Sequence, residues 1–134
     1  MSLAKEFAVR YAGLRQAYGT FTASNETRED GKASGKNITI SKELSDSDLL
    51  KLWEDHLSGH QSVGIVAIDE HNKCVWGAID VDEYQLDLKD LAIKIAKQEL
   101  PLVLCRSKSG GAHIYIFLTE PVSASMLQRK LRQI

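Results

Sequence analysis

The stretch Leu102-Val103-Leu104-Cys105-Arg106-Ser107-Lys108-Ser109-Gly110-Gly111-Ala112-His113-Ile114-Tyr115-Ile116-Phe117-Leu118 decides how this chain folds. An apolar run, a short turn of serine and glycine, and a second run of alternating character form a strand–turn–strand unit. Pro101 starts the first strand, Leu102 to Arg106, and the Ser107–Gly111 loop turns the chain into the second, Ala112 to Leu118. Strands joined by so short a turn pair antiparallel. Side chains alternate along a strand, so His113, Tyr115 and Phe117 share one face while Ile114, Ile116 and Leu118 share the other.

Upstream, the spacing of Leu88, Leu91, Ala92, Ile95 and Ala96 predicts a helix from about Asp87 to Glu99, with those residues buried. Before it, Val63 to Ile68, a turn at Asp69-Glu70-His71-Asn72, and Cys74 to Asp82 read as another hairpin. A helix capped by Ser45 or Ser47 buries Leu49, Leu50, Trp53 and Leu57 and stops at Gly59. Leu3, Phe7, Tyr11, Leu14 and Tyr18 recur at helical steps and predict an N-terminal amphipathic helix ended by Gly19. Residues 24 to 36 are polar and glycine-containing, so a mobile loop is expected there, followed by a short edge strand at Asn37 to Ser41. Downstream, Pro121 and Ser123 introduce a last helix. The class is α+β: a mostly antiparallel sheet from two β-hairpins, with helices packed on one face.

With 134 residues the chain is the size of one domain, and 43% hydrophobic with 26% charged residues is an ordinary globular balance. No apolar run approaches the roughly 20 residues that span a bilayer, and no basic-then-apolar leader marks secretion. Cys74 and Cys105 sit inside apolar runs without metal-ligand spacing, so a reduced, cytoplasmic protein is expected. A net charge of −1 argues against a free-standing duplex-DNA binder, which needs clear positive charge. It leaves room for a nucleotide-handling enzyme whose acidic metal site offsets basic residues elsewhere. A helical pattern that runs to Ile134 without a stop signal points to a piece of a longer protein.

The strand Trp76-Gly77-Ala78-Ile79-Asp80-Val81-Asp82 carries the chemistry that the hairpin alone lacks. Asp80 and Asp82 share a face, and two neighbouring carboxylates repel unless a cation sits between them. Oxygen ligands of this kind suit Mg²⁺ or Mn²⁺. The bland reading is a solvated strand end. In the Ser107–Gly111 turn, glycines let backbone N–H groups approach an anion, while hydroxyls and Lys108 add donors and charge. His113, at the mouth of the next strand, can donate to a phosphate oxygen. Its bland reading is a half-buried histidine beside an ordinary turn. If both hairpins join one sheet and bury their aliphatic faces, Asp80, Asp82 and His113 emerge together on the open face. A carboxylate pair beside an anion cradle is what metal-assisted phosphoryl transfer requires.

These two segments, Ile79-Asp80-Val81-Asp82 and Ser107 to Phe117, resemble the first two motifs of the archaeo-eukaryotic primase superfamily, which includes the primase–polymerases. The likeness is nearest to primase domains of mobile elements and of helicase-bearing conflict systems. It implies an RRM-like α+β catalytic core of which residues 1–134 are the N-terminal part. It further implies nucleotidyl transfer in DNA or RNA primer synthesis or extension, from nucleoside triphosphates on a single-stranded DNA template. By that resemblance Asp80 and Asp82 are catalytic metal ligands for Mg²⁺ or Mn²⁺, and His113 is the catalytic residue that contacts the incoming phosphates. Ser107, Lys108, Ser109 and Gly111 join His113 in the nucleotide-binding set. A helicase domain in the same parent chain is an implied partner. Two departures qualify this picture. Where the common second motif has a serine two positions before its histidine, this sequence has Gly111, so Ser107 or Ser109 would supply the hydroxyl. The third motif's metal-binding carboxylate has no counterpart before Ile134, so residues 1–134 alone are expected to be inactive or nearly so.

Other signals are weaker. Gly31-Lys32-Ala33-Ser34-Gly35-Lys36-Asn37 imitates a P-loop but has one residue too few between its glycines, and Asn37 stands where Ser or Thr is required. Lys32 and Lys36 could still touch a template strand. His56 and His60 are expected to be solvated, Trp53 and Trp76 to be core, and Arg129, Lys130 and Arg132 to form a soluble helix face. A nuclease would place Glu-x-Lys on the strand that here reads Leu-Val-Leu-Cys-Arg, and a polymerase-β-type transferase wants a Gly-Ser helix start before its aspartates. A non-catalytic nucleic-acid-binding sheet would carry aromatics in place of the carboxylates.

Overall fold

The computed structural model describes residues 1–29, 33–83 and 85–134. Its elements are α+β, with antiparallel pairing in both of its three-stranded sheets. The chain divides into two compact units, Met1–Asn72 and Lys73–Ile134. Among the described residues no helix is long and apolar enough to cross a membrane.

In the first unit, α1 (Leu3–Arg10) starts where the Ser2 hydroxyl accepts from the Lys5 N–H at 3.3 Å. The helix is shorter than the apolar spacing predicts. After Tyr11 the chain turns aside, the Leu14 N–H donates to the Val66 carbonyl at 2.8 Å, and Tyr18 already belongs to a strand. That strand, β1 (Tyr18–Thr27), pairs with β2 (Ala33–Ile40) from Tyr18↔Ile40 to Ala23↔Gly35. Most of the segment expected as a mobile loop is therefore hairpin, and the expected edge strand at residue 37 is the end of a longer β2. The edge position itself is correct, since the sheet order is β2-β1-β3.

Ser45 caps α2 (Asp46–Leu57) with a capping box. Its hydroxyl accepts from the Asp48 N–H, and the Asp48 carboxylate accepts from the Ser45 N–H, both at 3.1 Å. Hydrogen bonding to the carboxyl from the Ser45 backbone N–H, and secondarily from the Ser45 hydroxyl, lowers the Asp48 pKa from its ordinary value. Leu49, Leu52 and Trp53 are buried on this helix, whereas Leu50 is half-buried and Leu57 is exposed. The buried face thus lies nearer Leu52 than the sequence pattern places it. Ala4, Leu44, Leu49, Leu52 and Trp53 form the core, with Phe7 and Tyr11 packed against it. The Trp53 ring lies 5.3 Å from Phe7 and 5.6 Å from Tyr11 between centroids.

β3 (Gly64–Ile65) pairs with β1, not with the strand that follows it. This corrects the first expected hairpin. The turn forms as read, with the Asn72 N–H donating to the Asp69 carbonyl at 3.1 Å and the His71 N–H to the Asp69 carboxylate at 2.8 Å. The strands on either side of it go to different sheets. The single sheet expected from two hairpins is accordingly two sheets, one in each unit.

The second unit orders its strands β4-β6-β5, from β4 (Lys73–Val81), β5 (Leu102–Arg106) and β6 (Ala112–Ser123). The β5–β6 hairpin pairs antiparallel from Leu102↔Ile116 to Arg106↔Ala112, as its sequence predicts. β6 runs past Leu118 to Ser123, and its register with β4 shifts between Cys74 and Trp76. Pro121, which has no N–H to donate, falls within that irregular stretch. α3 (Leu88–Ala96) is capped by the Asp87 carboxylate, which accepts from the N–H groups of Lys89 and Asp90 at 3.0 Å. Ile95 is buried, but Ala92 and Ala96 are exposed, so α3 buries a narrower stripe than expected. α4 (Ala124–Leu131) packs Leu127 and Leu131 over Gly77, where a Cβ would come within 2.9 Å of both leucines. Cys74, Ile116 and Leu127 are the buried centre of this unit's core.

Candidate active site

β4 and β6 place Asp80 directly opposite His113, and Ala78 opposite Tyr115, and Trp76 opposite Phe117. Cross-strand partners point to the same face, and here that face is opposite to the Gly77–Ile116 side covered by α4. It is open: Ala78 and Asp80 are exposed, as is Val103 at 44%, the partner of Tyr115 on β5. The same-face placement of Asp80 and His113 is as expected from the sequence, although it arises from β4 pairing with β6 rather than from two complete hairpins joining.

His113 Nε2 lies 3.4 Å from Asp80 Oδ1, and the side chains are 40% and 73% exposed. So solvated a pair adds little to stability, so its placement needs another explanation than holding the fold. The other ring nitrogen, Nδ1, lies 3.2 Å from the Tyr115 hydroxyl. Asp82 follows β4 by one residue and is exposed. Among the described residues no group of three or more His, Cys, Asp or Glu side chains is arranged to hold a metal ion. Asp80 and Asp82 fit a divalent cation as part of a shell: they are hard oxygen donors reachable by water, and Mg²⁺ in particular keeps several waters when bound.

The Ser107–Gly111 turn is closed by the Ser107 N–H donating to the Gly111 carbonyl at 3.0 Å and the Gly110 N–H donating to the Ser107 carbonyl at 3.2 Å. Gly110 has φ +91°, a conformation glycine adopts without strain. The hydroxyls of Ser107 and Ser109 are 3.4 Å apart, and Lys108 is exposed beside them. Gly111 is buried, and a Cβ there would overlap the Val81 carbonyl oxygen. Close approach of two backbones therefore accounts for glycine at this position, and a serine would not fit without moving β4. The free thiol of Cys105 lies on β5 opposite His113, half-buried.

Sequence reasoning missed the aromatic row on this face. Trp53 is core as expected, but Trp76 is half-buried on the open face with Tyr115 at 6.3 Å between ring centroids. Tyr115 and Phe117 stack at 5.9 Å with an interplanar angle of 19°. The signal was present in the alternation of Trp76, Ala78 and Asp80 and in that of His113, Tyr115 and Phe117. Only the β4–β6 register shows that the two rows coincide. Of the weaker candidates, Lys36 lies exposed on β2, which is not the loop-to-helix setting of a P-loop. Gly31 and Lys32 lie outside the described residues. His60 is exposed as expected, but His56 is half-buried edge-on against Trp53, with Nδ1 3.0 Å from the Gln61 carbonyl oxygen. Arg129, Lys130 and Arg132 are exposed on or next to α4.

Residues 5–134 match the archaeo-eukaryotic primase domain of the TOTE conflict system, and the chain belongs to that family. The family supports primase-type nucleotidyl transfer at the general level. No curated protein matches the chain.

Proposed function

We propose that this domain performs metal-dependent nucleotidyl transfer, making or extending a primer on single-stranded DNA from nucleoside triphosphates. The observation that supports this reading most is the pairing of Asp80 with His113 across β4 and β6. In the reaction a primer 3′-hydroxyl attacks the α-phosphorus, a new P–O bond forms, and the bond to pyrophosphate breaks. Asp80 and Asp82 would hold Mg²⁺ or Mn²⁺, which would supply positive charge beside the phosphates and the attacking hydroxyl. His113 donates from Nε2 to a phosphate oxygen. Ser107, Ser109 and Lys108 surround the triphosphate with donors and positive charge, and Gly111 allows the turn to lie against the end of β4. A helicase domain in the same parent chain would supply the single strand.

The aromatic row of Trp76, Tyr115 and Phe117 favours one other reading, a non-catalytic sheet that binds single-stranded nucleic acid. Calorimetric titration with Mn²⁺ and a nucleoside triphosphate separates the two. Binding is expected in the wild type and lost in Asp80→Ala and in His113→Ala. Unchanged binding in both variants would sink the nucleotidyl-transfer reading, and oligonucleotide binding indifferent to both substitutions would favour the other.

A further inference from the structure

We infer that Tyr115 is a positioning residue for His113, whose hydroxyl holds the imidazole in the tautomer with its proton on Nε2. What His113 is positioned to bind rests on the proposed function; the tautomer does not. A carboxylate oxygen attracts an N–H and repels a lone pair, so the ring nitrogen nearest Asp80, Nε2 at 3.4 Å, carries the hydrogen. A neutral imidazole has a single N–H, which leaves a lone pair on Nδ1. The Tyr115 hydroxyl, 3.2 Å from Nδ1, is therefore the donor there.

Tyr115 is itself held in place. Phe117 stacks on one side of its ring, Trp76 leans against it at 49°, and the His113 ring meets it edge-on at 77°. This ring packing uses the aromatic face and not the hydroxyl, and it is the hydroxyl that reaches Nδ1. A phosphate oxygen arriving beside Asp80 meets a ring nitrogen that already carries its hydrogen, with no change of tautomer. Without the hydroxyl, part of the population presents a lone pair to the phosphate instead.

The test compares wild type with Tyr115→Phe, which keeps the ring. Long-range ¹H–¹⁵N correlation of the histidine rings, recorded without metal or nucleotide at alkaline pH, should show His113 protonated at Nε2 in the wild type. In Tyr115→Phe the two nitrogen shifts should move toward each other as the tautomers mix. An Nδ1-protonated wild type, or an unchanged pattern in the variant, overturns the inference. Titration with inorganic triphosphate and Mn²⁺ supplies the functional arm. Tyr115→Phe should bind about threefold to tenfold more weakly, the worth of one hydrogen bond. Full-strength binding by Tyr115→Phe, with binding lost in His113→Ala, contradicts the positioning role. A shifted tautomer together with full-strength binding by His113→Ala leaves the tautomer assignment standing and removes the proposed function instead.

Discussion

Phe7, Tyr11 and Trp53 in one unit and Trp76, Tyr115 and Phe117 in the other are two aromatic triplets with opposite surroundings. The first closes a helical core, with Trp53 only 4% exposed. The second lies half-buried along a sheet face that ends in Asp80 and His113. Burial separates them at one ring: Trp53 is enclosed and holds the fold, while the half-buried Phe7 and Tyr11 pack against that core and the half-buried rings of the second triplet lie beside ionisable groups. Substitutions that exchange the two behaviours would break this comparison.

The largest effect is expected at Trp53. Trp53→Ala should destabilise its unit by about 3–5 kcal/mol, the range for deleting a buried aromatic. Trp76→Ala should cost clearly less in a denaturant titration followed by circular dichroism. Equal losses would show that the sheet-face row is a second core. Next comes Gly111→Ala, whose added methyl overlaps the Val81 carbonyl oxygen. Relieving that overlap should cost about 1–3 kcal/mol. Gly59→Ala, at φ +82° with open space around it, should cost only about 1 kcal/mol. A Gly111→Ala protein as stable as wild type would mean that β4 and the turn are less closely apposed than the geometry requires.

Ser45→Ala should remove the α2 cap at a cost of about 1 kcal/mol and carries a pH signature. The folded-state pKa of Asp48 is lowered by its hydrogen bonds to the Ser45 backbone and hydroxyl. Its contribution is therefore present above the ordinary carboxylate range and lost as pH falls through the lowered value. Without the hydroxyl, the acid-induced loss of stability should shrink. An unchanged acid dependence in Ser45→Ala would assign the whole shift to the Ser45 N–H, which alanine keeps. The smallest effect is expected at Asp80. Asp80→Ala should change stability by no more than about 0.5 kcal/mol, since its contact with His113 is solvated. A larger loss would make the pair structural.

The units also differ in how readily their sequences disclose them. In the second, Leu102 to Leu118 combines alternation with a turn whose glycines fit its backbone, so local signals and tertiary pairing agree. In the first they conflict. Leu14 and Tyr18 continue the spacing of α1, but the chain is drawn from the helix by Val66, whose carbonyl accepts from Leu14. A Cβ at Gly13 would overlap that same oxygen. This partner lies some fifty residues away, out of reach of any helical window. The outer half of β1, from Thr22 to Thr27, is exposed, so no hydrophobic alternation marks it as strand. Turn residues Asp69 to Asn72 report a local bend and say nothing of which strands pair beyond it. For the site, Asp80 and His113 were legible because β-strand alternation fixes their face. The Trp76–Tyr115–Phe117 row was not, because it requires a register between strands more than thirty residues apart.

The central claim is that Asp80, Asp82 and His113 form one cation- and phosphate-binding site, and paramagnetic broadening tests it most directly. Mn²⁺ titrated into ¹⁵N-labelled protein should first bleach the backbone amide signals of residues 80–82 and 112–113. In Asp80→Ala that bleaching should require far more Mn²⁺. Broadening that begins at acidic surface positions such as Asp46 and Asp48, or that is unchanged in Asp80→Ala, would contradict the claim.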